Sequence, residues 1–240
     1  KTAYEIPKRD WSSDVCSSDL AKYILVTLDG GETLLIHLGM SGRMLVGKGW
    51  PNTLDAHDHV IVGADDGTVV RFNDARRFGV MDLVPETALG SHKLLKGLGP
   101  EPLDASFDGP ALAERLAGKA TSIKSALLDQ RVVAGIGNIY ASEALFRARL
   151  SPLRKAGTVA GARAKALASA IKAVLREAIE AGGSSLRDHR QTSGELGYFQ
   201  HRFAVYGRAG ETCPVCRSKA GIRTLAQTGR STFYCAKCQR

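Results

Sequence analysis

The chain has 240 residues, of which 44% are hydrophobic, and 33 Lys and Arg face 24 Asp and Glu for a formal net charge of +9 and a pI near 9.5. A chain of this length can form one large hydrophobic core or two modest ones, and we expect two domains. The charge favours nucleic acid as partner, with a merely solvated basic surface as the alternative. No apolar run suits a secretory signal or a membrane span, so a reducing, cytoplasmic compartment is expected.

The first 21 residues differ in character from the rest of the chain. Residues 11–20 repeat a Ser-Ser-Asp unit, show no helix or strand period, and contain Cys16, which lies far from the other four cysteines. We expect a foreign junction, such as translated adaptor sequence, joined to a truncated coding region. A flexible natural linker is the alternative.

From Lys22 the pattern is that of short β-strands separated by glycine turns. Six strands are predicted: 23–28, 33–38, 43–46, 59–63, 69–73 and 80–84. Their even spacing indicates an antiparallel β-sandwich. Two loops between them carry Met40, Arg76 and Phe78, for which the strand pattern gives no evident core position. For Met40 and Phe78 taken singly, core packing is the simpler interpretation.

After the proline- and glycine-rich segment 98–102 the period becomes helical. Asp108 is predicted to cap one helix, and Thr121 or Ser122 to cap a second that extends through Asp129. These helices begin a second domain.

Asn138 stands at the start of the next predicted helix, after two glycines. Unpaired amides at a helix start form an anion site, and phosphate is the anion that a basic protein would bind there. A simple N-cap role for Asn138 is the alternative. A long amphipathic helix that stops at Gly182 and Gly183 is scaffold, and the polar segment 184–202 is predicted to be a mobile loop.

The chain ends with two Cys-x-x-Cys pairs, formed by Cys213, Cys216, Cys235 and Cys238. Four thiolates at this spacing predict one structural zinc, because they leave no open position for catalysis. Between the pairs we predict a β-hairpin with Arg230 at its tip. From Arg202 onward eight Lys and Arg face a single acid, so the zinc is expected to support a cationic surface.

Several stretches, in order, resemble bacterial formamidopyrimidine-DNA glycosylases: 21–23, 37–42, 73–79, 98–103, 135–143, 197–199, 205–208 and 229–238. The resemblance covers residues 22–240. It implies an α+β protein with an incomplete antiparallel β-sandwich, a helix-two-turn-helix domain and a zinc β-hairpin finger. The implied boundaries are 22–97, 98–202 and 203–240, with 1–21 outside the family.

The resemblance implies base-excision repair of double-stranded DNA in the bacterial cytoplasm and nucleoid, by a monomer with no membrane partner. Family members flip oxidised purines such as 8-oxoguanine out of the duplex, excise them and cleave the abasic site. They attack the sugar with an N-terminal proline amine that a glutamate follows. This sequence begins with Lys1 and Pro7 is internal, so we expect it to lack that nucleophile. Lys22 matches the family's active-site lysine.

The resemblance also assigns roles in DNA binding. By this resemblance, the gap left by the flipped base is filled by Met40, Arg76 and Phe78. Phosphates are bound by Asn138 and Arg230, and weaker backbone contacts are made by His57 and Lys124. The loop that covers the base contains Arg187.

Two alternatives stay open. The endonuclease VIII branch shares the scaffold but prefers oxidised pyrimidines, whereas the loops around Met40 and Phe78 favour the purine branch. A non-catalytic binder of damaged DNA would keep the gap-filling residues, helices and zinc finger without a nucleophile.

Overall fold

A computed structural model describes residues 17–184 and 197–240. The chain divides into two compact units, one of residues 1–96 and 184–197 and the other of residues 97–183 and 198–240. Among the described helices, none has the length and apolar character needed to cross a membrane.

The first unit contains two antiparallel sheets. One has the strand order β1-β2-β3-β7, with β1 at Ser17–Leu20, β2 at Tyr23–Leu28, β3 at Glu32–His37 and β7 at Val80–Pro85. The other has the order β4-β6-β5, with β4 at Arg43–Lys48, β5 at Asp58–Gly63 and β6 at Thr68–Asn73. A 3-10 helix follows at Glu86–Ser91. The antiparallel sheets and the six predicted strands are confirmed, with ends that differ by at most two residues.

Strand β1 lies within residues 11–20, for which the sequence shows no helix or strand period, and it corrects that expectation. It pairs with β2 from Leu20 opposite Tyr23 to Ser17 opposite Val26. Ala21 and Lys22 form the two-residue turn, both with positive φ (52° and 74°), which is the backbone of a tight hairpin. The pairing with β2 supplies the strand's hydrogen bonds, and a local sequence pattern does not report it.

The second unit contains four α-helices and one hairpin. The helices are α1 at Gly109–Leu116, α2 at Ile123–Leu127, α3 at Asn138–Arg147 and α4 at Ala162–Glu180. The hairpin consists of β8 at Arg223–Gln227 and β9 at Arg230–Tyr234, and short 3-10 turns lie at Ala156–Thr158 and Phe199–Arg202. The Asp108 side chain caps α1 and the Ser122 side chain caps α2, as predicted, although α2 ends two residues before Asp129.

A continuous apolar core joins the helices of the second unit. It includes fully buried side chains of every α-helix, among them Leu112, Leu127, Leu145, Leu167 and Ile171. Phe199 is also fully buried in this core, so the prediction of a mobile loop through residue 202 is wrong at its end. Residues 185–196 of the predicted loop, including Arg187, lie outside the described residues.

A smaller apolar cluster surrounds the cysteines at the end of the chain. Phe146 of α3, Val205 and Ile222 are buried in it beside Cys213 and Cys235. Helix α3 therefore contributes side chains to both clusters and fixes the hairpin against the helical core.

Candidate nucleic-acid interface

The four cysteines form one zinc-finger site. All four sulfur atoms lie within 4.8 Å of one another, with 3.8 Å between the Sγ atoms of Cys213 and Cys238 and 3.6 Å between those of Cys216 and Cys235. Sulfurs about 2.3 Å from a tetrahedral zinc lie about 3.8 Å apart. The donor set therefore fits a structural zinc, as predicted.

The hairpin above this site presents Arg230 to solvent. Thr228 and Gly229 form its turn with φ of 48° and 73°, and Arg230 is the first residue of β9, opposite Gln227. The prediction that Arg230 occupies the tip is therefore off by one position, since the two turn residues precede it. Its side chain remains exposed and available to an anion.

Lys124 has a different position from the predicted DNA contact. Its side chain is fully buried, and its Nζ donates to the Thr232 Oγ1 (2.7 Å) and to the Ser231 carbonyl oxygen (3.1 Å). The structure therefore does not support a direct phosphate contact by Lys124. The buried ammonium instead fixes β9, and thereby the base of Arg230, against α2.

Burial and then the nearby charge of Arg230 lower the pKa of Lys124 to about 8. An unfolded lysine keeps a pKa of about 10.4. Between about pH 8 and about pH 10.4, Lys124 is protonated in the unfolded chain but largely neutral in the folded one. The free energy of unfolding should therefore increase with pH over this range.

Replacing Lys124 with Met should remove this rise between about pH 8 and about pH 10.4. Chemical denaturation at several pH values measures the difference from wild type. Lys48→Met is the control, since Lys48 lies on an exposed strand end and its loss should leave the slope intact. Equal slopes in wild type and Lys124→Met would contradict the assignment.

Asn138 is the first residue of α3 and bridges the helix to the hairpin. Its Nδ2 donates to the Ser231 carbonyl oxygen (3.0 Å) and approaches the Tyr206 hydroxyl (3.4 Å). The N-cap residue is Gly137, and no side chain caps α3, whereas α1 and α2 are capped. The N-cap alternative for Asn138 is therefore wrong, and the first-turn amides of α3 remain suited to an anion.

Lys124, Asn138 and Arg230 thus converge on one short stretch of β9 around Ser231.

The sequence analysis did not identify Glu143, the residue that fixes the segment 204–206 ahead of the cysteine pairs. This fully buried carboxylate accepts backbone N–H bonds from Ala204, Val205 and Tyr206, at 2.8–3.0 Å. A charged residue among the apolar neighbours of α3 was the available signal, because buried carboxylates need several donors.

In the first unit, two loops place the predicted gap-filling residues together. We call residues 39–42 and 74–79 the wedge loops. Met40 is 66% exposed and Phe78 57% exposed, so the core-packing interpretation of either residue is wrong. The Arg76 guanidinium lies over the Phe78 ring, 4.9 Å from its centre. Two large apolar side chains and an arginine therefore project from neighbouring loops, an arrangement that suits insertion between bases.

His57 and Lys22 lie in the same unit. His57 is exposed, and its carbonyl oxygen accepts the Asp74 N–H at 3.0 Å, directly beside a wedge loop. Lys22 is in the β1–β2 turn, directly before the predicted strand at 23–28. Burial, together with the charge of Lys22, lowers the pKa of His37, whose Nδ1 accepts the Gly39 N–H. These residues therefore lie close to the wedge loops.

Family models match three successive segments of the chain. The formamidopyrimidine-DNA glycosylase N-terminal domain matches residues 16–81, the H2TH domain of the same glycosylase matches residues 98–190, and a zinc finger found in FPG and IleRS matches residues 210–240. These matches cover most of the described chain.

Individual relatives agree with the family models. The chain is 58% identical over 229 residues to the formamidopyrimidine-DNA glycosylase of Cereibacter sphaeroides, with 92% of this chain and 80% of the relative covered. The enzyme of Azorhizobium caulinodans is 54% identical over 240 residues, with 92% and 81% covered.

Two solved structures extend the comparison to the fold. The MutM (Fpg) protein of Thermus thermophilus superposes with a TM-score of 0.81 at 41% identity, over 93% of this chain and 81% of that one. The Lactococcus lactis Fpg in complex with DNA containing an abasic site superposes with a TM-score of 0.83 at 31% identity, over 93% and 81%.

Proposed function

Because the chain belongs to the formamidopyrimidine-DNA glycosylase family, we propose that it binds duplex DNA and acts in base-excision repair. The proposed activity is that of the family, a DNA glycosylase and abasic-site lyase directed at oxidised purines, and it requires the family's N-terminal proline and glutamate. The name shared by its relatives supports the activity, and the Lactococcus lactis complex with abasic DNA supports the partner. Such an enzyme works in the cytoplasm at the nucleoid.

The observation that carries this proposal is the exposed group on the wedge loops. Unstacking a base costs a few kcal/mol, and an apolar wedge recovers part of that cost by filling the vacated space. Met40 and Phe78 fill the gap, and Arg76 faces the orphaned base from its position over the Phe78 ring. Met40 and Phe78 are both largely exposed and lie on neighbouring loops, and a grouped set of exposed apolar side chains marks an interaction site.

The same proposal assigns the remaining DNA contacts to polar residues that the family resemblance implies. Arg230 and the uncapped start of α3 at Asn138 bind phosphates, while Lys124 positions β9 beneath them. His57 binds the backbone beside the wedge loops, and Lys22 binds the phosphate that flanks the lesion. Arg187 covers the flipped base. The domain boundaries at residues 97/98 and 202/203 belong to the same proposal.

Borohydride trapping tests the enzymatic part of the proposal. A duplex with one 8-oxoguanine and a matched undamaged duplex are incubated with the protein and borohydride. An amine nucleophile forms a Schiff base that borohydride reduces to a stable protein–DNA adduct, so an adduct with the lesion duplex alone is expected of a chain that begins with the family's Pro-Glu, and no adduct of a chain that begins at Lys1. Preferential binding of the lesion duplex without any adduct would instead identify a damage-binding protein.

Replacing Arg230 with Ala should weaken binding to damaged and undamaged duplex to the same extent, because a phosphate contact carries no sequence information. The slope of log affinity against log salt should become shallower by about one unit. Titrations at several salt concentrations give both quantities. Lys48→Ala, which removes an equal charge at an ion pair with Asp66, is the control. A variant that changes lesion preference but keeps the salt slope would refute the phosphate role.

A further inference from the structure

Asp74 lies at the junction of the two wedge loops and is fully buried. Its Oδ1 accepts the Ser41 hydroxyl at 2.5 Å and the Arg76 N–H at 3.3 Å, and its Oδ2 accepts the Gly79 N–H at 2.7 Å. The Ser41 Oγ in turn accepts the Arg76 N–H at 3.1 Å. One carboxylate therefore contacts both loops and spans the segment that carries Arg76 and Phe78.

The backbones of the two loops also touch. A Cβ added to Gly39, whose φ is +65°, would lie 2.6 Å from the Phe78 carbonyl carbon and 2.7 Å from the Gly79 nitrogen. Only a glycine therefore fits at the point where the loop carrying Met40 crosses the loop carrying Phe78.

Backbone contacts hold the start of the second loop: the Asp74 N–H donates to the His57 carbonyl oxygen at 3.0 Å, and the Asp74 carbonyl oxygen lies 2.8 Å from the His59 Nε2. A surface hollow of about 300 Å³ lies against this loop, lined by His59, Phe72, Asp74, Arg77 and Gly79. Side chains do not fill that space, so the loop has less apolar packing on this side, and the hydrogen bonds to the Asp74 carboxylate contribute more to its order.

The Asp74 carboxylate is charged at neutral pH. Burial alone would raise its pKa, but hydrogen bonds from Ser41, Gly79 and Arg76 outweigh burial and lower it. Bonds to an ionised acceptor are about twice as strong as neutral ones, and an ionised carboxylate can accept at both oxygens at once.

We propose that Asp74 is a positioning residue that joins the two wedge loops into one preformed wedge. It touches neither the damaged base nor the sugar. By ordering Met40, Arg76 and Phe78 before DNA arrives, it removes the cost of ordering them on binding, which would otherwise reduce affinity for the opened duplex. This inference rests on the proposed function, since it assigns the loops a role at a lesion.

Three variants test the inference: Asp74→Ala, Asp74→Asn and Ser41→Ala. Asp74→Ala removes both carboxylate oxygens, and Asp74→Asn keeps one oxygen as an acceptor. Ser41→Ala leaves the carboxylate in place and removes only the hydroxyl that links the two loops. Asp66→Asn is the control, because Asp66 is an exposed acid in a distant turn of the same unit. Amide hydrogen exchange at Arg76 and Gly79 in the free proteins reports loop order without DNA.

Binding is then measured with a duplex that contains a stable abasic-site analogue and a 2-aminopurine opposite the gap, and with an undamaged duplex. We expect Asp74→Ala to lose about tenfold in preference for the abasic duplex, the equivalent of one hydrogen bond to a charged group. Its 2-aminopurine signal and amide protection should fall, whereas affinity for undamaged DNA and the salt slope should not change. Asp74→Asn and Ser41→Ala should lie between Asp74→Ala and wild type.

The outcomes distinguish failure of the positioning role of Asp74 from failure of the proposed function. If wild type prefers the abasic duplex and Asp74→Ala keeps both that preference and the 2-aminopurine signal, the positioning role is overturned and the proposed function stands. If wild type shows no preference for the abasic duplex, the proposed function fails, and the role of Asp74 at a lesion fails with it. Unchanged amide protection in all three variants would refute the hydrogen-bonded junction itself.

Discussion

Removing the zinc should abolish DNA binding while the helical core stays folded. A two-stranded hairpin is at best marginally stable in water, and its cysteine cluster contains few apolar side chains. Zinc contributes about 10–16 kcal/mol in sites of this kind. The hydrogen bond from the Lys124 ammonium to Thr232 contributes about 1.5–3 kcal/mol and the neutral one from Gln227 to Ser122 about 0.5–1.5 kcal/mol, which together cannot replace the metal. The core of α1 to α4 does not depend on the cysteines.

Chelation and the variant Cys238→Ala test this expectation, with Cys16→Ala as the control for loss of a thiol outside the site. Freshly purified wild type and the control should contain about one equivalent of zinc, as expected for four thiolates. The loss of metal should reduce affinity for any duplex by more than about 100-fold, because Arg230 loses its fixed position, while helical circular dichroism changes little. A metal-free protein that binds DNA like wild type would rule out this role.

Features that depend on local signals could be predicted from the sequence. The zinc site follows from two Cys-x-x-Cys pairs, and the caps of α1 and α2 follow from Asp108 and Ser122 placed just before helical periods. The strands follow from alternating apolar residues between glycine turns. Each of these signals lies within a few residues of the structure that it specifies.

Features that depend on distant pairing could not be predicted. Lys124 meets Ser231 and Thr232 across more than 100 residues of sequence, so no local window shows that its ammonium is buried. Strand β1 has an uninformative sequence and exists through its pairing with β2. The sequence around Asp74 indicates only a turn, because Asp is common in turns. The contact between its carboxylate and Ser41 depends on the tertiary fold. The roles of exposed residues such as Met40 came from the resemblance, because periodicity describes only buried faces.

Outside the zinc site, replacing Glu143 should have the largest effect on stability of the substitutions considered for the second unit. Its carboxylate accepts the N–H groups of three consecutive residues, Ala204, Val205 and Tyr206, and Val205 is itself fully buried. This segment leads from the helical core to the zinc cluster, with the Tyr206 ring packed edge-on against those of Phe203 and Phe233.

Glu143→Ala leaves those three amide groups without their acceptor. A buried donor without a partner costs about 1–3 kcal/mol, so the variant should lose about 3–5 kcal/mol of folding free energy. At about 2–4 °C per kcal/mol for a unit of this size, its Tm should fall by about 6–20 °C. Glu143→Gln keeps one carbonyl oxygen and should lie between Glu143→Ala and wild type.

Thermal and urea unfolding of the three proteins, with zinc present throughout, measures these differences. Glu114→Gln is the control, because Glu114 is an exposed acid on α1 and its loss should change stability by less than about 0.5 kcal/mol. If Glu143→Ala unfolds within about 1 kcal/mol of wild type, water or neighbouring groups replace the carboxylate and Glu143 does not secure the segment. If the loss is as large as expected, affinity for duplex DNA should fall as well, since the hairpin that presents Arg230 is attached to the core through this segment.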